Sequence, residues 1–437
     1  MPKRIIPIAS GKGGVGKTTF AVNFALALSR HAPTILVDLD TGTSSVRSTL
    51  AVPIQRDLYH FHRKATPLFQ CVTRLDAGHD PGNRFGNFGF VAGPRHYLED
   101  LANPDAEFRR RLSLEINTLP ADYVVVDLRA GLDANVLDFL PYTNSGVLLF
   151  TPQLPQATLA ASEIVKAILF RTLRLVFRKN SEVFRLPGFS EGHELVHELI
   201  NRAEDVYDDS VPNLDFVLKD LRDVFGDQPL LQAIEWVIGD FRVHYVLNMF
   251  DGVEQSHEAA VVPFVRNLTE NVSRRLNLTQ LGWVVADPKV HRANCAGRPI
   301  LLEAPEAERP RPAPAPAQDP VFAELEALRS SVLGLDRRRP PAPARTPLAP
   351  AAARPRVETP SVDALLGEQL ESLRSMFVDR KRDNVQQNFS YAVFRALNLM
   401  QPPRLPTEFG MTQIAPADQL VRWLLRRLQR STAQVTA

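Results

Sequence analysis

Apolar and polar positions follow two rhythms along the first part of the chain. Short continuous apolar runs occupy residues 4–10, 34–40, 88–93, 122–127, 146–152, 243–250 and 281–287. Between them lie stretches in which apolar residues recur every three to four positions, as in 18–28 and from about 156 onward. The runs predict buried strands and the longer period predicts helices. Strands without polar alternation need cover on both faces, so the pattern predicts an α/β fold, a doubly wound and mostly parallel sheet between helical layers. Residues 122–127, Asp-Tyr-Val-Val-Val-Asp, are the clearest buried strand, being continuous and β-branched.

The rhythm breaks in three places. Residues 51–87 mix aromatic, basic and glycine-rich stretches, with His60, His62 and His79 scattered through them without the spacing of a metal site. Residues 172–241 predict a helical insertion of amphipathic, mostly acidic helices over 191–207, 213–225 and 229–241. Beyond residue 303 the chain turns to Pro and Ala, with thirteen of its 35 prolines between Pro305 and Pro360. That composition predicts a semi-extended linker over 304–360, interrupted by a short helix over 320–337 whose apolar face carries Phe322, Leu325, Leu328, Val332 and Leu335. The C-terminal helical region, 361–437, shows one stripe of Val362, Leu366, Leu370, Leu373 and Phe377 and a second of Phe389, Val393 and Leu397. Its last helix, 415–430, sets Leu420, Val421, Leu424, Leu425 and Leu428 against Arg422, Arg426, Arg427 and Arg430. A basic amphipathic helix of this kind suits either an anionic membrane surface or the flank of neighbouring helices.

A length of 437 residues predicts two or three units, here an α/β part over 1–303, the linker and the helical tail. Net charge of +2 argues against a globally electrostatic nucleic-acid binder. A local cluster of Lys166, Arg171, Arg174, Arg178 and Lys179 still offers either a sequence-independent DNA contact or a solvated face. Cys71 and Cys295 form no Cys-x-x-Cys pair, which excludes a zinc ribbon and fits a reducing compartment. With no leader-like segment and no apolar run of spanning length, a cytoplasmic protein is expected, any membrane contact being peripheral.

The chemistry concentrates at Gly11-Lys-Gly-Gly-Val-Gly-Lys-Thr18, between the first strand and the first helix. Gly11, Gly13, Gly14 and Gly16 let successive backbone N–H groups, that of Val15 among them, converge on phosphate oxygens, and the helix N-terminus at Lys17, Thr18 and Thr19 adds its dipole. Lys17 can reach the β- and γ-phosphates, and the Thr18 hydroxyl can ligate Mg2+. Asp38 and Asp40 end the second strand and Asp127 ends the 122–127 strand, so in a doubly wound sheet all of them arrive beside the phosphates. A carboxylate closing such a strand suits the water shell of a magnesium ion.

Lys12, immediately after the first glycine, makes the loop resemble the deviant Walker A of the MinD/ParA family of ATPases. Further stretches are similar to that family's motifs in order: Val37-Asp-Leu-Asp40, Asp127-Leu-Arg-Ala-Gly131, the strand end at Asn248, and residues 281–299 with their Asp287-Pro288 turn and Gly-x-Pro cap. The resemblance implies a P-loop NTPase fold with ATP and Mg2+ as ligands. Lys12 would cross a dimer interface to the partner's nucleotide, Asp40 would orient the attacking water, and Asp38 and Asp127 would serve the metal shell. Asn248 would read adenine, with Pro288 in the turn over the base. Asn248-Met-Phe-Asp251 also resembles a guanine-reading Asn-Lys-x-Asp with Met for Lys, and the missing lysine favours ATP. Arg129 departs from the small or proline residue expected beside the switch glycine.

The function implied is an ATP-dependent homodimer that hydrolyses ATP slowly to position or regulate a cellular complex, with an activating or cargo protein as partner. Two other outputs share these motifs: an accessory ATPase of a secretion or polysaccharide-synthesis complex, and a flagellar-number-type regulator. The second is disfavoured by the ten residues ahead of Gly11. The absent cysteine pair disfavours an iron–sulfur carrier, and a tail with Tyr391 alone disfavours a tyrosine kinase.

Overall fold

A computed structural model of the chain describes residues 3–41, 45–185, 193–205, 207, 210–226, 229–303, 359–381, 383–400 and 412–435. The linker and its helix at 320–337 lie outside the described residues. The strands are β1 (Arg4–Ala9), β2 (Thr34–Leu39), β3 (Thr73–Arg74), β4 (Phe88–Val91), β5 (Tyr123–Leu128), β6 (Asn144–Phe150), β7 (Arg242–Phe250) and β8 (Asn277–Val285). They form one eight-stranded sheet in the order β3-β4-β2-β5-β1-β6-β7-β8. Every pairing is parallel except β3 with β4.

Successive strand residues feed opposite cores. Val124 and Val126 enter the layer that holds the long helix Pro155–Val176, and Val125 enters the layer that holds the helix after the glycine loop, Lys17–Ser29. The apolar runs are therefore apolar at every position because both faces are covered. β3 is a two-residue edge strand in the unrhythmic 51–87 segment, too short to leave a periodic trace. The three histidines of that segment each pair with an aspartate: His60 with Asp57, His62 with Asp100 and His79 with Asp76. Among the described residues no group of His, Cys, Asp and Glu has the makings of a metal centre. Burial pushes the Cys71 thiol up to about 11, whereas Cys295 is exposed.

The insertion forms helices His193–Glu204, Leu214–Phe225 and Pro229–Gly239, which bury Val196, Ile200, Leu218, Leu221 and Ile234 in the same core as helix Pro155–Val176. This packing also pairs most of the cationic cluster at 166–179, for which the sequence offered either a DNA contact or a solvated face. Lys166 is buried and donates to the Glu204 carbonyl at 3.0 Å. Arg171 pairs with Asp138, Arg174 with Glu204, and Arg178 with Asp418. Lys166 and Arg178 thus tie the insertion to its surroundings, Arg174 pairs within it, and Arg171 joins the long helix to Asp138.

The C-terminal helices join the same compact unit as the sheet. Helix Val362–Arg380 covers one face of β7 and β8, where the buried Tyr245 hydroxyl donates to Gln369 Oε1 at 2.7 Å. Helix Val385–Leu399 covers the other face, with Phe389 5.9 Å from Phe20 of the Lys17–Ser29 helix. The final helix, Asp418–Val435, buries Leu420, Val421, Leu424 and Leu428 against helices Pro155–Val176 and Pro229–Gly239. Arg427 lies 4.1 Å over the Trp236 ring and pairs with Asp240. The apolar face, which suits either a membrane surface or neighbouring helices, is therefore packed on helices Pro155–Val176 and Pro229–Gly239, and Arg422, Arg426 and Arg430 remain exposed. No described helix is long and apolar enough to cross a membrane.

Candidate functional site

The strand order decides what meets at the carboxyl edge of the sheet. β1 is central, with β5 and then β2 on one side and β6, β7 and β8 on the other. The glycine loop leaves β1, carboxylates arrive from β2 and β5, and Asn248 and the Asp287-Pro288 turn arrive from β7 and β8. Ligands of doubly wound sheets occupy this crevice.

Within the loop, Gly14 and Gly16 have φ of 83° and 81°, the left-handed region that side chains disfavour, and Gly16 is the N-cap of the Lys17–Ser29 helix. Gly11 is needed for a different reason. A Cβ there would lie 2.3 Å from Ala160 Cβ and 2.4 Å from the Ala160 carbonyl carbon, so the loop rests directly on helix Pro155–Val176. At Gly13 a Cβ would meet nothing within 4 Å, leaving that part of the cradle open.

Lys17 turns inward and donates to Asp127 Oδ1 at 2.7 Å, with both groups buried. Asp127 Oδ2 is buried with no hydrogen-bond partner among the described residues. An orphaned carboxylate oxygen in such a place carries a desolvation cost that a cation or its water shell would offset. Thr18, Asp127 and the open glycine cradle therefore fit a magnesium-bound phosphate chain. Asp38 is registered beside Asp127 across the β2–β5 pairing and is fully buried. Its Oδ1 accepts the Asp40 N–H at 3.0 Å and its Oδ2 accepts the Gly93 N–H at 3.3 Å. Those bonds make Asp38 the tie between the ends of β2 and β4, and they set the path of Asp40, which is half-buried. The small-residue turn that follows lies outside the described residues after Thr41.

Gly131 has φ of 124° and its N–H donates to the Ser10 carbonyl at 3.1 Å, joining the switch segment to the base of the loop. Arg129 is held by the Ala102 carbonyl at 3.0 Å and by Asp133 at 3.6 Å, so the departure from the family pattern is absorbed without entering that contact. On the opposite side Asn248 donates from Nδ2 to the Val15 carbonyl at 2.7 Å, bracing the underside of the loop. Pro288 opens helix Pro288–Cys295, whose N-cap Asp287 accepts the Lys289 N–H.

Sequence reasoning missed two asparagines. Asn294 donates from Nδ2 to Thr19 Oγ1 at 2.8 Å and links the last core helix to the loop's helix. Asn23, wholly buried in that helix, donates to the Thr19 carbonyl and accepts the Leu301 N–H. A solitary Asn in an otherwise apolar helix was the available signal for the second.

Lys12 is exposed at the rim, and no acceptor lies within hydrogen-bond distance of its ammonium among the described residues. Leu132 and Leu159, 40% and 44% exposed, each neighbour in sequence a residue that touches the loop, Gly131 at the Ser10 carbonyl and Ala160 beneath Gly11.

Residues 6–300 match the family profile described as the CobQ/CobB/MinD/ParA nucleotide binding domain. The septum site-determining protein MinD of Synechocystis is 28% identical over 152 residues, 35% of this chain and 54% of the relative. The chloroplastic MinD homologue of Arabidopsis thaliana is 28% identical over 160 residues, covering 46% of its length. The chain spans about half the length of these curated relatives. Among solved structures, Pyrococcus horikoshii MinD complexed with Mg-ADP aligns with 68% of this chain and 88% of its own at 17% identity and a TM-score of 0.40. The Aquifex aeolicus MinC:MinD complex aligns at 15% identity, 69% and 88% coverage and a TM-score of 0.39. Profile, sheet order and loop geometry agree, and the chain belongs to the CobQ/CobB/MinD/ParA nucleotide-binding-domain family.

Proposed function

We propose that this protein is an ATP-dependent dimerisation switch that hydrolyses ATP slowly and, in its dimeric state, positions or regulates a cellular complex. The observation that carries the reading is Lys12, exposed in the glycine loop and without a side-chain partner among the described residues, while Lys17 of the same loop turns inward to Asp127. An exposed cation beside a phosphate cradle that already holds its own lysine suits a second copy whose bound phosphates meet it. The MinD relatives are named for determining the septum site, which supports a positioning role.

Mg-ATP supplies the scissile phosphoanhydride bond. Lys17 would turn from Asp127 to phosphate oxygens, and Thr18 and Asp127 would hold magnesium, which would supply charge neutralisation of the phosphates when bound. Asp40 orients the attacking water and accepts its hydrogen bond. The backbone N–H groups from Gly13 to Thr18 would cradle the phosphates, so the residues contribute positioning and charge stabilisation rather than covalent chemistry. Slow turnover follows from a cation that arrives only with the partner.

Light scattering with Mg-ATP tests this directly. Lys12→Ala is expected to stay monomeric where the native protein doubles in mass, while its ATP affinity stays within roughly threefold. Dimerisation of Lys12→Ala at the native ATP and protein concentrations would refute the reading.

A further inference from the structure

We propose that Asn388, in the C-terminal helix Val385–Leu399, is a positioning residue of the nucleotide site that holds the turn over the base. The inference rests on Asp287-Pro288 being that turn. Asn388 lies outside residues 6–300, the part of the chain that matches the family profile.

β8 is the last strand of the sheet, and an edge strand leaves outward backbone groups without a ladder partner. Helix Val385–Leu399 supplies side chains to them. Asn388 is 3% exposed, and its Oδ1 accepts the Val285 N–H at 3.2 Å. Farther back along the strand, Arg395 donates from Nε and Nη2 to the Gln280 carbonyl at 3.1 and 2.8 Å. Val285 is the final residue of β8, two positions before Asp287. The pairing of β7 with β8 is irregular there, slipping between Asn248 and Phe250, where Met249 has φ of 53°. The strand end is thus poorly fixed by its own ladder, and Asn388 clamps it from outside.

The same helix is anchored to the other walls of the site. Phe389 packs on Phe20, two residues beyond Thr18, and Gln386 Nε2 donates to the Ile300 carbonyl at 2.7 Å. Its own start is fixed by a reciprocal cap between Asn384 and Gln387. The helix is therefore set against the phosphate side through Phe389, and Asn388, one residue earlier, fixes the base side against the same support.

A hydrogen bond that orients the base turn should matter to a ligand with a base and not to a bare phosphate chain. The test is calorimetric titration of the full chain with Mg-ATP and, separately, with inorganic tripolyphosphate and magnesium. Asn388→Leu is expected to weaken ATP roughly three- to tenfold and to leave tripolyphosphate within about twofold of native. Asn388→Asp keeps the acceptor oxygen, near a helix N-terminus that tolerates its charge, and is expected to bring ATP back to within about threefold of native. Unchanged ATP affinity in Asn388→Leu, or an equal loss for both ligands, would overturn the assignment. Should Asn388→Leu not fold, Asn388→Ala read against Asn388→Asp gives the same comparison. If the native protein binds ATP no better than tripolyphosphate, the base-turn reading itself falls, and the Asn388 assignment with it.

Discussion

Lys17 and Asp127 meet at 2.7 Å with side-chain exposures of 7% and 0%, so each is the other's main compensation for leaving water. Lys17→Ala is therefore expected to destabilise the protein by roughly 3–5 kcal/mol, because it strands a buried carboxylate. Adding Asp127→Ala should recover part of that loss, since the two positions are coupled. Urea denaturation of the single and double variants checks this, and a single-variant cost below about 1 kcal/mol would mean that the pair is already solvated. Residues of this kind were legible because phosphate chemistry constrains them. A lysine after the last loop glycine and a carboxylate closing a buried strand have few other uses together. Asn294 and Asn23 were not legible as site residues, because a carboxamide shows its role only once the fold supplies its partners.

The glycine loop and the long helix beneath it act as one element. A Cβ at Gly11 would collide with the Ala160 backbone, whereas one at Gly13 meets nothing within 4 Å. Gly11→Ala is expected to lower the melting temperature by several degrees and ATP affinity at least tenfold, because either the loop or helix Pro155–Val176 must move. Gly13→Ala should leave the melting temperature within about two degrees of native. Thermal scans with and without Mg-ATP separate the two, and an unperturbed Gly11→Ala would remove the contact from the account. At this scale the sheet was readable, since strands buried on both faces leave unbroken apolar runs. The 51–87 segment was not, because its elements are the six-residue helix Leu58–Arg63, a single helical turn over Leu68–Cys71 and the two-residue β3, none long enough to impose a period.

Across the whole molecule, the C-terminal helices complete the layers of the nucleotide-binding fold. The stripe on 415–430 was legible, but a stripe has the same period whether its partner is a membrane or a protein face, and only the fold shows that the insertion covers it. Leu424, fully buried, distinguishes the cases: Leu424→Ala should cost roughly 2–5 kcal/mol in urea denaturation, and a change under about 0.5 kcal/mol would mean that the helix is not packed. The role of the basic cluster at 166–179 stayed open for a related reason, since its acidic partners come from distant positions such as Asp138, Glu204 and Asp418. The central claim is that nucleotide state sets subunit association. Its most direct test is the solution mass of the native protein followed by light scattering through a single charge of Mg-ATP, beside Asp40→Ala. The account predicts that the native mass doubles on ATP addition and returns to that of a monomer as ADP accumulates, while Asp40→Ala stays doubled. A mass that does not change with ATP, or that stays doubled in ADP, would contradict it.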